Sequence, residues 1–302
     1  MPAKPAPSTN NSTIFLDLES GRRMAIEEYG DRTGQPMFFF HGWPSSRWQG
    51  AMLDAAGREL GFRLLALDRP GMGDSDFQPD RRLTDFPPLL SEIADRLELS
   101  RFHVFGVSGG GPYALVSAWA LPRRVIACAV CCGAPPLADR TDTSSLLPVY
   151  RWLLAMYRRR PEVMRRVFRM VRPVATIRPP GPMWRALKLV LPRADALALN
   201  DRDTMERAWR GYAGSWKGNP DAVFADASIY AQPWGFDPAE ITIPVRLWHG
   251  TEDHNFSVTL AEELGARIPG CQLRIVEGEG HYSIVINRGR EILADFRAEN
   301  AG

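Results

Sequence analysis

An α/β fold built on a mostly parallel sheet is predicted by three observations. Short apolar runs alternate with longer stretches of helical period from Thr13 onward. The later runs are continuously apolar, as strands covered on both faces are, so helices are expected on both sides of the sheet. The alternation then stops at Ala134-Pro135-Pro136 and resumes only after Phe236, which marks an insertion within one core.

The elements follow in order. Strands are expected at 13–18, 23–29, 37–40, 62–67, 102–107, 125–132, 243–249 and 272–277, and the first two, joined at Ser20-Gly21, read as an antiparallel hairpin. Helices are expected at 47–59, 84–97, 112–120, 258–268 and 286–296. This divides the chain into a core of 13–136 and 237–302, a helical insertion of 137–236, and a tail, 1–12, with too little apolar content to fold.

Composition excludes several classes. With 302 residues, 45% hydrophobic and 24% charged, the chain can bury a large core and is not of disordered type. A formal net charge of +2 argues against a protein coated with nucleic acid. Neither a secretory signal nor a stretch of the roughly 18 apolar residues needed to span a bilayer is found. Cys128, Cys131, Cys132 and Cys271 read as core thiols of a reducing, cytoplasmic setting rather than a disulfide framework.

Near-neutrality hides a split. The insertion holds 17 of the 37 basic residues but 9 of the 35 acidic ones, a net charge of +8. From Arg151 to Arg193 Glu162 is the single acid, interleaved with Trp, Phe, Met and Val, and Pro161 suits a helix first turn. The Trp and Met residues read as core of the insertion, with some lining a pocket. Its basic face reads first as a solvated one; anionic substrates, an acidic partner or a membrane surface are the other readings.

Chemistry concentrates at Gly106-Val107-Ser108-Gly109-Gly110, between an apolar strand and a helical run. A nucleophile at the tip of so sharp a turn needs small neighbours two residues either side, which Gly106 and Gly110 supply. A serine hydroxyl needs a base. Of five histidines, His103 lies inside a strand and reads as structural, while His41, His249, His254 and His281 lie at or beyond strand ends. Chain order of serine, acid and histidine favours His281, and Asp253, after the strand at 243–249, is the candidate acid in preference to its neighbour Glu252.

These segments, together with His41-Gly42-Trp43-Pro44 and Asp68-Arg69-Pro70-Gly71-Met72-Gly73-Asp74-Ser75, resemble the α/β-hydrolase family over nearly the whole chain. The resemblance implies an eight-stranded sheet with the insertion as a helical cap. It also implies an oxyanion hole from the Trp43 and Gly109 N–H groups, with His41 and Gly42 shaping that loop and Asp68 and Arg69 bracing it. The implied activity is ester hydrolysis through Ser108, His281 and Asp253 on a small acyl substrate, with no metal or organic cofactor. Serine at the elbow argues against epoxide hydrolases and haloalkane dehalogenases, which carry aspartate there. Perhydrolysis, lactone, amide or carbon–carbon bond hydrolysis, and a non-catalytic ligand receptor are the alternatives, and oligomeric state is left open.

Overall fold

The predicted hairpin forms the left edge of the sheet. In the computed structural model, which describes residues 13–297, β1 (Thr13–Asp17) pairs antiparallel with β2 (Arg23–Gly30), and β2 in turn runs antiparallel to β4 (Phe62–Leu67). The tail 1–12 lies outside the described residues. From β4 onward all pairing is parallel, through β3 (Gln35–Phe40), β5 (Phe102–Val107), β6 (Val125–Cys131), β7 (Val245–Gly250) and β8 (Gln272–Val276). The order β1-β2-β4-β3-β5-β6-β7-β8 makes one eight-stranded sheet.

Side chains alternate across β3, and each face receives its own helices. Phe38 and Phe40 join a core with α2 (Phe86–Arg96), α3 (Gly111–Ala120) and α10 (Val258–Arg267). Met37 and Phe39 point the other way, toward α1 (Asp54–Leu60) and α11 (Ser283–Arg297). His103 is enclosed on that side, its ring packed edge-on against Phe62 and Phe296, and burial pulls its pKa down to about 4, as befits a neutral structural histidine.

Three expectations need correction. The helix at 47–59 is two pieces, a tight turn of 3-10 helix at Arg47–Met52 and then α1; the Leu53 N–H closes the first on the Gly50 carbonyl at 3.0 Å, and the Leu53 carbonyl opens α1 by accepting from Gly57 at 2.8 Å. The last helix starts at Ser283 rather than 286, for a reason that lies far away in sequence and is given below. Cys271 is only partly buried, unlike the other three thiols, since it borders the edge strand β8; all four are free.

Between β6 and β7 the described residues carry six α-helices, a turn of 3-10 helix at Pro238–Glu240, and no strand beyond an isolated bridge from Leu146 to Phe256. They are α4 (Pro148–Arg159), α5 (Pro161–Ala175), α6 (Gly181–Val190), α7 (Arg193–Ala198), α8 (Arg202–Ser215) and α9 (Ala222–Ala231). Not all of their Trp and Met residues are core: Trp152, Met170 and Met183 are exposed.

What joins this insertion to the sheet is a buried acid. Asp226 of α9 pairs with Arg69 at 2.7 Å and Arg81 at 2.8 Å, and accepts from the Tyr113 hydroxyl at 2.5 Å. Burial alone would raise its pKa, but the two guanidinium groups hold it well below the usual carboxylate range. Removing one member of such a cluster strands the others in a dry site. Asp226→Ala is therefore expected to lower unfolding free energy by about 3–5 kcal/mol, measured as a fall in the urea midpoint.

Candidate active site

At the end of β5 the chain must turn back into a helix within a few residues, and Ser108 adopts φ 52° to do so. A non-glycine residue at positive φ is strained, and such strain gathers at functional positions. Glycine is required on both sides: a Cβ on Gly106 would overlap the Gly110 carbonyl, and one on Gly110 would overlap the Phe40 carbonyl. The turn is held by the Ala134 N–H, which donates to the Ser108 carbonyl at 2.9 Å.

His281, on the loop after β8, meets the serine. Its Nε2 lies 2.9 Å from Ser108 Oγ, and its Nδ1 lies 2.7 Å from Asp253 Oδ2 on the loop after β7. The tautomer that serves both partners carries its proton on Nδ1 and accepts the serine proton on Nε2. Asp253 is fixed in turn by the N–H groups of Asn255 at 2.8 Å and Phe256 at 3.1 Å. Burial would lower the His281 pKa, yet the Asp253 carboxylate carries it well above its ordinary value. The reciprocal pull holds Asp253 at about 2 despite its own burial.

The other histidines are placed elsewhere. His249 donates from Nε2 to the Phe256 carbonyl at 2.9 Å, with Asp253 3.6 Å away, and burial lowers its pKa. His254 and Glu252 are exposed. His41 is fully buried and donates from Nδ1 to the Gly42 carbonyl at 2.8 Å, so it shapes its loop. Asp68 braces the same region through Arg47, as Arg69 does through the carbonyls of His41 and Gly42.

That last contact has a directional effect. In a trans peptide the C=O and N–H point in opposite directions, so fixing the Gly42 carbonyl on Arg69 at 3.0 Å aims the Trp43 N–H away from Arg69. Gly109 lies beside it, since a Cβ there would sit 2.8 Å from Trp43 Cβ. Among the described residues neither the Trp43 nor the Gly109 N–H donates to a protein acceptor. Two such donors next to a serine can hold an oxyanion.

Two cavities meet at Ser108. One is almost wholly apolar, with about 550 Å³ between its atoms, and is walled by Leu137, Leu153, Leu154, Met164 and Phe256. The other opens past His281 and carries the more polar Ser45, Gln49 and Asn255. Trp43 and Tyr150 border both. The one group of side chains disposed for a metal among the described residues is Cys132, His249 and Asp253, but Asp253 Oδ2 already holds His281 and His249 Nε2 faces a carbonyl.

Sequence reasoning missed two acids. Asp226, besides its arginines, accepts from the Tyr230 hydroxyl, which also lies 3.0 Å from the Gly109 carbonyl. Asp195, buried on α7, accepts the N–H groups of His281 at 3.1 Å, Tyr282 at 2.9 Å and Ser283 at 2.8 Å. The N–H groups of Tyr282 and Ser283 lie where α11 opens and have no acceptor within the helix, so Asp195 supplies one and the helix begins early. No local motif marks either residue, because apart from Tyr230 the partners lie far along the chain.

A family model described as the alpha/beta hydrolase fold matches residues 35–287, and the chain belongs to that family. Among curated relatives it is 32% identical over 134 residues to a non-heme chloroperoxidase of Streptomyces lividans, covering 43% of this chain and 48% of that protein. It is 31% identical over 137 residues to a bifunctional esterase/perhydrolase of Acinetobacter calcoaceticus, again 43% of this chain and 48% of the other. These matches thus span about half the length of the relatives. An esterase from Exiguobacterium antarcticum superposes with a TM-score of 0.68 at 19% identity, over 96% of this chain and 100% of that one. A bromoperoxidase from Bacillus anthracis gives 0.69 at 17%, over 96% and 100%; both likenesses are of fold.

Asp195→Ala leaves three N–H groups without their acceptor beside His281. A loss of about 1–3 kcal/mol is expected, with Asp195→Asn intermediate because one oxygen remains; urea unfolding of the two variants checks this order.

Proposed function

We propose that the protein is a serine hydrolase that cleaves carboxylic esters through an acyl-enzyme on Ser108. The observation that carries this reading is the unbroken line of hydrogen bonds from Asp253 through His281 to Ser108, ending beside two backbone N–H groups that donate to no protein acceptor among the described residues. Ser108 Oγ attacks the ester carbonyl as His281 Nε2 takes its proton. Asp253 holds the ring and stabilises the imidazolium, while the Trp43 and Gly109 N–H groups receive the negative charge on the carbonyl oxygen. His281 then protonates the leaving alcohol and activates the water that frees the acid.

In this reading the insertion is a cap, and the apolar cavity takes the acyl chain. The more polar cavity past His281 receives the alcohol and the water. The relatives named above for halide or peroxide chemistry make perhydrolysis the second reading, in which hydrogen peroxide takes the place of water as acyl acceptor, and an assay of peracetic acid formed from acetate and hydrogen peroxide separates it from hydrolysis.

The first test is a p-nitrophenyl ester series from acetyl to dodecanoyl on wild type and Ser108→Ala. Turnover is expected to peak at medium chains and to fall roughly 10⁴-fold or more in the variant. Activity undiminished in Ser108→Ala, or fastest on acetyl, would contradict the respective claim. The pH profile is a second test. The base works only when neutral and Asp253 raises its pKa, so kcat/KM should rise with pH through a midpoint above 6.5. Asp253→Asn should move that midpoint down while lowering turnover.

A further inference from the structure

The apolar face of α5 is broader than the part of it that the rest of the protein covers. Its inward part puts Met164 and Phe168 against the rest of the protein, whereas Val163, Val167, Met170 and Val174 follow one another at helical spacing along the adjoining stripe. Three of these four are exposed, Met170 to 77% and Val174 to 67%. The stripe continues beyond the helix to Ile177, and the neighbouring α6 adds Leu189 at 86%. Of the exposed large hydrophobic side chains among the described residues, most lie on this insertion.

Charge divides in the same way. Arg165 and Arg169 are paired with Asp221, and Arg172 donates to the carbonyls of Trp216, Lys217 and Gly218. By contrast Arg159 and Arg160, just before α5, and Arg166, three residues after Val163, are exposed, and no side-chain hydrogen bond or ion pair is found for them among the described residues. Glu162 is the single acid between Arg151 and Arg193. Unpaired guanidinium groups edging an exposed apolar stripe are what an amphipathic helix needs to lie in the interface of an anionic bilayer.

We propose that the outward face of α5, with its flanking segments, is a docking surface for an anionic lipid bilayer. A second copy of the chain fits it poorly, because a two-fold contact would set the same arginines against one another. An anionic headgroup layer complements them, and the side chains between sink into the acyl boundary. The inward sides of α4 and α5 wall the apolar cavity, so docking would bring that cavity's roof against the lipid. This proposal does not rest on the catalytic reading.

The test is co-sedimentation of the full chain carrying Ser108→Ala, so that no hydrolysis alters the lipid. Vesicles of phosphatidylcholine alone are compared with vesicles that also contain phosphatidylglycerol. Binding is expected only to the latter and should weaken with salt. Arg159→Gln/Arg160→Gln/Arg166→Gln should weaken it roughly a hundredfold, and Met170→Ser/Val174→Ser should weaken it without removing the salt dependence. Unchanged thermal midpoints establish that both variants fold, and the charge variant alone suffices if the other does not. Absence of binding, equal binding to both vesicle types, or a dimer in light scattering that Met170→Ser/Val174→Ser dissolves would overturn the proposal.

Discussion

The arrangement depends on one buried carboxylate. Asp226 neutralises Arg69 and Arg81 where neither could stand alone, and through Arg69 it reaches the backbone that precedes Trp43. Guanidinium groups suit this task because their several N–H donors sit in one rigid plane. Arg69 can therefore bind the acid on one side and two carbonyls on the other without adjusting. The insertion thus supplies the counter-charge for a side chain of the core that orients part of the site.

A similar exchange occurs at the histidine. The loop carrying His281 has two acidic supports of different origin, Asp253 from the core on the ring and Asp195 from the insertion on the backbone. The first acts on the proton affinity of the imidazole, the second on where the imidazole sits. Burial pushes the Asp195 carboxyl up in pKa against the pull of its N–H donors, so the contact stands between desolvation and hydrogen bonding rather than on a salt bridge.

Ser108, Asp253 and His281 were legible in the sequence because each occupies a short string whose residue types are dictated locally: glycines at a tight turn, an acid and a histidine just past apolar strands. Strand positions were legible for the same reason, since continuous apolar runs such as Phe102–Val107 have few other uses. Asp226 and Asp195 were not, because in sequence they look like any acid on a helix and acquire meaning only from partners brought near by folding. Nor could the exposed stripe of α5 be read, since a broad apolar face does not declare how much of it is covered. The split of 47–59 escaped because no residue type near Leu53 marks the place where 3-10 bonding gives way to α1.

These ties also decide how the site can open. The insertion is fastened at α7 through Asp195, at α8 where the Ser46 hydroxyl donates to the Gly211 carbonyl at 2.9 Å and Arg207 to that of Ala51 at 2.7 Å, and at α9 through Asp226. A swing of the whole insertion about a hinge would break all of these together, including the contacts that hold the histidine and the loop before Trp43. Opening by that route would dismantle the site it is meant to admit a molecule to. A motion that spares the site must leave α7 to α9 standing as a fixed frame and give up only the ties of α4 to α6, among them the pairing of Arg165 and Arg169 with Asp221: a door leaf that moves while its posts stay set in the wall.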